Sequence, residues 1–193
     1  MNNQFFAMLS RMKYINRWGL MRNTIQENIA EHSLETAMIA HALAVINNIY
    51  FHGDRNPEKI ALYAMYHDVP EIITGDLPTP VKYFDSEIKK SYDVVESVAV
   101  SHLLHAMPEE MAEVYQNIID EKQIREEDRK LVKAADKISA LIKCIEERKM
   151  GNQDFVKAEE STMKAVRELE CEEADYFLEH FMGAYGLTLD EQA

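Results

Sequence analysis

The sequence predicts an all-α protein, and three observations support that fold class. Only 6 glycines and 5 prolines occur among 193 residues, so few positions interrupt regular structure. Apolar residues recur at spacings near 3.6 along almost the whole chain, and the β-branched residues are dispersed. A chain of this length can bury one substantial core. We therefore expect one compact helical domain over residues 1–193, with a loosely docked tail from about residue 186.

Each helix is predicted from its apolar periodicity and from the residues at its ends. Asn56 followed by Pro57 is typical of a helix N-terminus, and Gly151 is typical of the position that follows a C-terminus. The predicted helices, in chain order, are about 3–12, about 28–47, one from 56 to the central segment described below, about 86–106, one opened by Pro108, about 126–149, about 154–169 and about 172–184.

The periodicity also predicts which side chains of each helix face the core. The second helix should bury Ile39, Leu43 and Ile46. The sixth should bury Leu131, Ala135, Ile138, Leu141, Ile142 and Ile145. The fourth should bury Ile88, Tyr92, Val95, Ala99, Leu103 and Ala106, and the fifth Met111, Val114, Tyr115 and Ile118.

Charge and composition exclude several classes of function. The chain has 21 Lys and Arg against 34 Asp and Glu, a formal net charge of -13, which would repel a nucleic-acid polymer. No apolar run is long enough to span a membrane, and the N-terminus lacks the pattern of a signal peptide. Cys144 and Cys171 are far apart in helical contexts and are expected to be buried free thiols. We therefore expect a cytoplasmic protein that binds neither membranes nor polymeric nucleic acid.

The central segment, residues 66–80, concentrates one histidine, three carboxylates and a proline-rich turn directly after an apolar helical run. Neighbouring side chains of a continuous helix diverge by about 100°. His67 and Asp68 can therefore converge on one metal ion only if the helix ends there, and Pro70 and Gly75 supply that ending. Two ligands do not make a stable site, so further ligands are expected on other helices.

Two more residues have suitable atoms in unusual places. His32 lies on the apolar face of the second helix, and Asp136 follows two alanines at the flank of the sixth. Taken alone, His32 would be a hydrogen-bonded core histidine, Asp136 a solvated aspartate, and His67 with Asp68 a helix C-terminus. Together they offer two imidazoles and two carboxylates from three helices. Such a set suits a divalent ion such as Mn, Co, Fe, Zn or Mg.

The same residues carry a resemblance to a known family. The pattern of His32, His67-Asp68 and Asp136 resembles the HD-domain superfamily of metal-dependent phosphohydrolases. Four segments look more closely like the bacterial HD-domain 5'-deoxynucleotidases: residues 15–18 (INRW), 27–34 (ENIAEHSL), 66–68 (YHD) and 74–84 (TGDLPTPVKYF). The likeness covers nearly the whole chain and implies a compact HD-domain helical bundle. One local difference is Val69-Pro70 before Glu71, where proline removes an N–H without deleting a functional group.

The resemblance implies hydrolysis of deoxyribonucleoside 5'-monophosphates to deoxynucleoside and phosphate. It implies one divalent ion, such as cobalt or manganese, on His32, His67, Asp68 and Asp136, and a homodimer to which the C-terminal helix with Tyr176, Phe177 and Phe181 would contribute. The implied catalytic residues are Glu71 as the acid/base, Asp76 and Arg17. The implied substrate-binding residues are Arg17, Trp18, His32, Asp68, Asp76, Leu77, Pro78 and Thr79.

The chemistry agrees with these roles. A phosphomonoester dianion repels hydroxide, so its hydrolysis requires charge neutralisation and an in-line water. A bound metal lowers the pKa of water and holds a phosphate oxygen, and Arg17 offers a planar fork of donors. Trp18 is expected to fill the space of a 2'-hydroxyl, which would favour deoxyribose.

Two other functions stay open from the sequence. The first is an HD hydrolase of another phosphate ester, such as a nucleoside triphosphate, a cyclic nucleotide or an alarmone. A triphosphate site would require more basic residues than Arg17, Arg22 and Lys82. The second is a helical binding module that has lost turnover, although extra carboxylates at an open position disfavour it.

Overall fold

The computed structural model describes residues 3–82 and 84–192; Met1, Asn2, Ala193, and Tyr83 of the family-like segment, lie outside this range. The all-helical prediction is confirmed, because the described residues form α-helices and short 3₁₀ turns without a β-strand. The helices are α1 (Phe5–Leu9), α2 (Ile29–Tyr50), α3 (Pro57–Tyr66), α4 (Glu71–Thr74), α5 (Thr79–Lys82), α6 (Ser86–Leu104), α7 (Glu109–Ile119), α8 (Glu126–Lys149), α9 (Val156–Arg167) and α10 (Glu172–His180). None of these described helices has both the length and the apolar character needed to cross a membrane.

The long helices α2 and α8 form the centre of the fold. Helix α2 packs along α3 and α8, and α9 packs on the other side of α8. All the residues predicted to face inward from α2 and α8 are buried. A second apolar cluster contains Phe5, Ile29, Val69 and Leu103 and lies beneath the start of α2 and the end of α3. The main core includes the buried residues of α2, α3 and α8. Both clusters pack against the helix ends that carry the predicted metal ligands, so these ends are rigid.

The start of α2 is fixed by a capping box. The Asn28 side chain accepts hydrogen bonds from the backbone N–H groups of Ala30 and Glu31, at 3.0 and 3.1 Å. The Glu31 carboxylate in turn accepts the Asn28 N–H at 3.2 Å. These bonds satisfy donors that a helix N-terminus otherwise leaves unpaired. They therefore set the register of the first turn, from which His32 projects.

The central segment contains more structure than the predicted turn. Helix α3 ends at Tyr66, and two four-residue helices, α4 and α5, follow it. Pro70 has φ of -58° and precedes α4, whereas Gly75 has φ of 72° and ends it. A positive φ of this size is cheap only for glycine. The predicted end of the helix at His67 and Asp68 is confirmed, and the short helices α4 and α5 were not predicted.

Several predicted helix ends differ from the observed ones. Helix α1 is shorter than 3–12, because the chain continues as a 3₁₀ turn from Ser10–Tyr14. Helix α9 begins after another such turn, and α10 ends at His180 rather than near Ala184. The terminal segment is tied to the end of α8, since the Lys149 ammonium donates to the Leu187 carbonyl at 2.8 Å.

The predicted inward faces of α6 and α7 are partly wrong. Tyr92, Ala99 and Leu103 are buried, but Ile88 is 37% and Val95 is 49% exposed. On α7, Met111 and Val114 are 36% and 59% exposed. The neighbours of α6 are the short helices α4 and α5 and the helix α7. Periodicity identifies the apolar side of a helix, but the tertiary structure decides how much of that side is covered.

A buried ion pair joins α8 to the loop that precedes α2. The Glu147 side chain is 1% exposed and accepts hydrogen bonds from the backbone N–H groups of Thr24 and Ile25, at 2.9 and 3.1 Å. The Lys143 ammonium donates to the same carboxylate at 2.5 Å. Burial opposes ionisation, but the bonds from Lys143, Asn152 and the loop backbone lower the pKa of Glu147 to about 2. The ionised pair therefore fixes the loop.

We predict that Glu147→Gln destabilises the protein at neutral pH by roughly 3 kcal/mol, the usual cost of removing one partner of a buried ion pair. Because the folded-state pKa is depressed, this contribution is fully present above about pH 4.5 and is lost as the pH falls towards 2. Urea unfolding at several pH values measures it.

The control for this prediction is Glu127→Gln, which breaks an exposed pair with Arg55 and should change stability little. A Glu147→Gln penalty that is equal at neutral and acidic pH would contradict the assigned role.

Candidate active site

The four predicted metal ligands meet in the structure at one place. Asp136 of α8 approaches His32 of α2, with 3.0 Å between Oδ1 and Nε2. The Nε2 atom of His67, at the end of α3, lies 3.2 Å from Asp68 Oδ1 and 3.9 Å from Asp136 Oδ1. His32, His67 and Asp68 each offer a ligand atom, and these atoms all lie within 4.8 Å of one another. Such a group could hold one metal ion, with Asp136 beside it.

The proton positions on His32 follow from its hydrogen bonds. Its Nδ1 lies 3.0 Å from the hydroxyl of Ser139, and that hydroxyl donates its own proton to Glu35 at 2.6 Å. Ser139 must therefore accept from Nδ1–H, because a hydroxyl carries a single proton. This chain of bonds leaves the Nε2 lone pair of His32 directed at the carboxylates, which is the tautomer that a metal ligand requires.

His67 is prepared in the same way. Its Nδ1–H donates to the Ala64 carbonyl at 2.6 Å, so that Nε2 is the nitrogen directed at the carboxylates. Nε2 is buried and has no hydrogen-bond partner within the described ranges. A buried imidazole nitrogen beside carboxylate oxygens is unfavourable unless a proton or a metal cation lies between them. The residues present therefore fit a divalent ion.

The protonation equilibria of these groups show the same need for positive charge. Burial lowers the pKa of His67, but the charges of Asp68 and Asp136 outweigh it and raise that pKa to about 9. Burial would raise the pKa of Asp136, yet the facing imidazoles of His32 and His67 hold it well below its usual range. The cluster therefore favours bound positive charge, whether that charge is a proton or a metal cation.

Glu71 and Asp76 extend the negative cluster. Glu71 belongs to α4, and its buried Oε2 has no hydrogen-bond partner among the described residues. Burial and the nearby Asp68 and Asp76 carboxylates raise the pKa of Glu71 to about 9. Burial followed by the charge of Asp68 also raises the pKa of Asp76, although Arg17 opposes this. Glu71, close to the ligands, can therefore carry a proton at neutral pH.

Arg17 and Trp18 belong to the segment between the 3₁₀ turn 10–14 and α2, next to the ligand cluster. Arg17 donates from Nη1 to Asp68 at 3.2 Å and from Nε to Glu27 at 3.0 Å. The Trp18 indole N–H donates to the same Glu27 oxygen at 3.0 Å, and its ring packs on Phe155 with 5.3 Å between centroids. Neither Arg17 bond uses Nη2, so this nitrogen can face a ligand.

The backbone of Trp18 is strained. Its φ is 59°, in the left-handed region that bulky side chains rarely adopt. Strain of this kind costs of order 1–3 kcal/mol and persists only where surrounding contacts impose it. Here the Trp18 carbonyl accepts from the Met21 N–H at 2.9 Å and from the Asn23 side chain at 3.3 Å. These bonds therefore hold the Trp18 backbone in a costly conformation.

A cleft of about 540 Å³ adjoins the ligand cluster. Six residues predicted from the sequence line it: Arg17, Trp18, Asp76, Pro78, Thr79 and Asp136. His32 is fully buried and Leu77 is half-buried. The described residues that line the cleft do not include His32, Leu77 or Asp68. Their predicted contacts with substrate stay predictions.

Other cleft residues were not predicted. Leu20 and Met21 line one side, and the far wall consists of Lys137, Ala140, Ala158, Ser161, Thr162 and Ala165. The α9 members recur at helical spacing, which places them on one face, but small residues carry no chemical signal. Glu27, Ser139 and Glu35 were missed as partners of the site because their roles depend on contacts distant in sequence.

A family model described as "5'-deoxynucleotidase YfbR-like" matches residues 4–185. The chain is 50% identical over 189 residues to a 5'-deoxynucleotidase of Enterobacter sp. strain 638, covering 98% of this chain and 95% of that protein. It is also 50% identical over 192 residues to the 5'-deoxynucleotidase YfbR of Escherichia coli O127:H6, with the same coverage.

Solved structures share the fold. An HD-domain phosphohydrolase from Listeria innocua has a TM-score of 0.83 and 24% identity, covering 94% of this chain and 88% of that chain. The HD phosphohydrolase DatZ of cyanophage S-2L, bound to dA and one catalytic Zn²⁺ ion, has a TM-score of 0.65 and 21% identity, covering 90% and 93%. At these identities the likeness establishes the HD-domain fold alone.

We predict that Ser139→Ala lowers the affinity for a divalent ion by about 10- to 100-fold, the usual cost of losing the partner that orients a metal-binding histidine. Titration of metal-free protein with cobalt, followed calorimetrically, measures it. Ser33→Ala is the matched control, since Ser33 is also buried and its hydroxyl has no hydrogen-bond partner among the described residues. Equal affinities of the Ser139→Ala variant and the wild type would contradict this reading of His32.

Proposed function

The chain belongs to the YfbR-like 5'-deoxynucleotidase family, and we propose that it hydrolyses deoxyribonucleoside 5'-monophosphates to deoxynucleoside and phosphate at the site described above. One observation carries the proposal. The convergence of His32, His67, Asp68 and Asp136 borders a cleft that also presents Arg17 and Trp18. The cleft is large enough for a small ligand, since typical ligand pockets are about 300–1,000 Å³.

His32, His67, Asp68 and Asp136 would hold the divalent ion. An ion there supplies Lewis-acid chemistry, namely neutralisation of the phosphate charge and a lower pKa for water. Arg17 would bind the phosphate through Nη2, while its other nitrogens stay fixed by Asp68 and Glu27. A guanidinium held in this way is pre-organised for a dianion.

Glu71 is proposed as the acid/base residue. Its Oε2 has no hydrogen-bond partner among the described residues, and its pKa of about 9 lets it hold a proton for the departing 5'-oxygen. A cation bound beside it would lower this pKa and let Glu71 accept a proton from the attacking water instead. Asp76 lines the cleft and would orient either the water or a sugar hydroxyl. Pro78 and Thr79 would complete the sugar side of the cleft.

The location of the basic residues supports a monophosphate over a triphosphate. Arg22 bonds to Asp154 at the exposed rim, and the Lys82 ammonium donates to Glu96 at 2.8 Å. Lys137 is an additional cation in the cleft wall.

Three further properties are proposed on the resemblance: cobalt or manganese as the ion, a cytoplasmic location and a homodimer. The exposed ring of Phe181 supports α10 as part of the dimer surface, whereas Phe177 is buried in the core.

The function is tested with metal-free protein reconstituted separately with several divalent ions. A panel of ribo- and deoxyribonucleoside mono- and triphosphates is assayed for release of phosphate, pyrophosphate and triphosphate. We expect phosphate release from deoxyribonucleoside 5'-monophosphates. Release of pyrophosphate or triphosphate would indicate a different HD hydrolase, and inactivity with every ion and substrate would indicate a binding module.

We predict that Glu71→Ala keeps the metal but loses most turnover, by about 10²- to 10⁴-fold, which is the usual contribution of a general acid/base. Asp68→Ala should instead lose the metal, because it removes a ligand. Metal content by elemental analysis and turnover at saturating metal separate the two variants. Equal loss of metal in both would overturn the division of roles.

We predict that Trp18→Ala relaxes the preference for deoxyribose, because the space of a 2'-hydroxyl becomes open. The ratio of kcat/KM for a deoxyribonucleotide to that for its ribonucleotide should fall by about tenfold or more, as expected when a steric barrier is removed. Trp18→Phe retains a ring and serves as the control. An unchanged ratio in Trp18→Ala would exclude this role.

A further inference from the structure

Glu27 lies outside the predicted catalytic and binding residues, yet one of its oxygens joins two of them. Glu27 Oε2 accepts both from Arg17 Nε and from the Trp18 indole N–H, each at 3.0 Å. The Glu27 side chain is only 12% exposed. A partly desolvated carboxylate oxygen that accepts two donors fixes the direction of both groups. The guanidinium and the indole therefore share one anchor.

The backbone holds that anchor in place. The Arg17 N–H donates to the Glu27 carbonyl at 2.9 Å, and the Ile29 N–H donates to the Ile15 carbonyl at 3.0 Å. Asn16 and Asn28 form an antiparallel bridge between these bonds. Because Asn28 also begins the capping box of α2, Glu27 is fixed relative to the helix that carries His32.

The bond to Glu27 and the packing on Phe155 are the directional contacts of the Trp18 ring among the described residues. Phe155 packs on the ring with an interplanar angle of 56°, but an aromatic contact tolerates rotation and sliding better than a hydrogen bond does. The backbone bonds of Trp18 place its Cα at a positive φ and do not act on the side chain. The indole N–H bond to Glu27 therefore sets the ring position.

We propose that Glu27 is a positioning residue that couples phosphate recognition by Arg17 to sugar selection by Trp18. This inference rests on the proposed function, because it assigns the two partners the phosphate and the deoxyribose. Glu27 is not among the described residues that line the cleft, so its proposed effect acts through Arg17 and Trp18. The proposed role depends on the length of the Glu27 side chain and on its acceptor oxygen, and not on the negative charge of Glu27.

Two substitutions separate position from charge. Glu27→Gln keeps the length and an oxygen that can accept both N–H groups, but it loses the charge. Glu27→Asp keeps the charge but is one methylene shorter. Its carboxylate therefore cannot reach Arg17 Nε and the Trp18 indole N–H in their present positions. Glu127→Ala is the matched control, since it removes another glutamate that is paired with an arginine, Arg55, outside the cleft.

The first measurement requires neither metal nor substrate. Trp18 is the single tryptophan of the chain, so selectively excited fluorescence reports on this ring alone. We expect Glu27→Asp to shift the emission to the red and to increase quenching by acrylamide, whereas Glu27→Gln and Glu127→Ala keep the wild-type spectrum. Wild-type emission and quenching in Glu27→Asp would overturn the proposal.

The second measurement is the ratio of kcat/KM for a deoxyribonucleoside monophosphate to that for its ribonucleotide. We expect Glu27→Asp to lower this ratio by about tenfold and to weaken inhibition by inorganic phosphate to a similar degree, since small displacements of positioning groups have effects of this size. Glu27→Gln should stay within about threefold of the wild type. In a Trp18→Phe background, which lacks the indole N–H, Glu27→Asp should not change the ratio further.

An undiminished effect of Glu27→Asp on the ratio in the Trp18→Phe background would overturn the coupling. Greater loss in Glu27→Gln than in Glu27→Asp would also overturn it, because charge would then be the important property. If the wild type hydrolyses no nucleotide, the proposed function fails, while the fluorescence comparison still decides whether Glu27 positions Trp18.

Discussion

The central constraint on this structure is the burial of several carboxylates around two imidazoles. Asp68, Asp136 and Glu71 are close enough to alter one another's protonation or that of the histidines. Such a group of like charges is stable in a protein interior only when positive charge accompanies it. Arg17 supplies part of that charge through its bond to Asp68, and a divalent cation would supply more. The close approach of α2, the end of α3 and α8 is organised around this requirement.

The sequence was sufficient to predict the long helices and their buried faces. Residues of α2 and α8 such as Leu43 and Ile138 are fully buried, because long amphipathic helices leave few alternatives for packing. The four-residue helices α4 and α5 could not be predicted from periodicity, since each is barely one turn long. Val95 and Val114 were misplaced for a different reason: their exposure depends on which neighbouring helices happen to cover α6 and α7.

The predicted ligands and the supporting residues differ in how visible they are from the sequence. His32 stands out because a histidine is unusual on an apolar face, and His67, Asp68 and Asp136 stand out because they complete a set of metal ligands with it. Ser139 and Glu35 do not stand out, since the bond between them joins residues 104 positions apart. Similarly, the cleft wall on α9 is made of small residues, whose shared property is the space they leave. Contacts of this kind follow from the three-dimensional arrangement and not from residue type.

The capping box of α2 has a consequence for the thermodynamics of the proposed metal site. His32 follows Glu31, the third residue of the helix, so fraying of the first turn would withdraw the imidazole from the cluster. Ion binding and closure of this turn are therefore linked equilibria, and a bound ion stabilises the helix end by mass action.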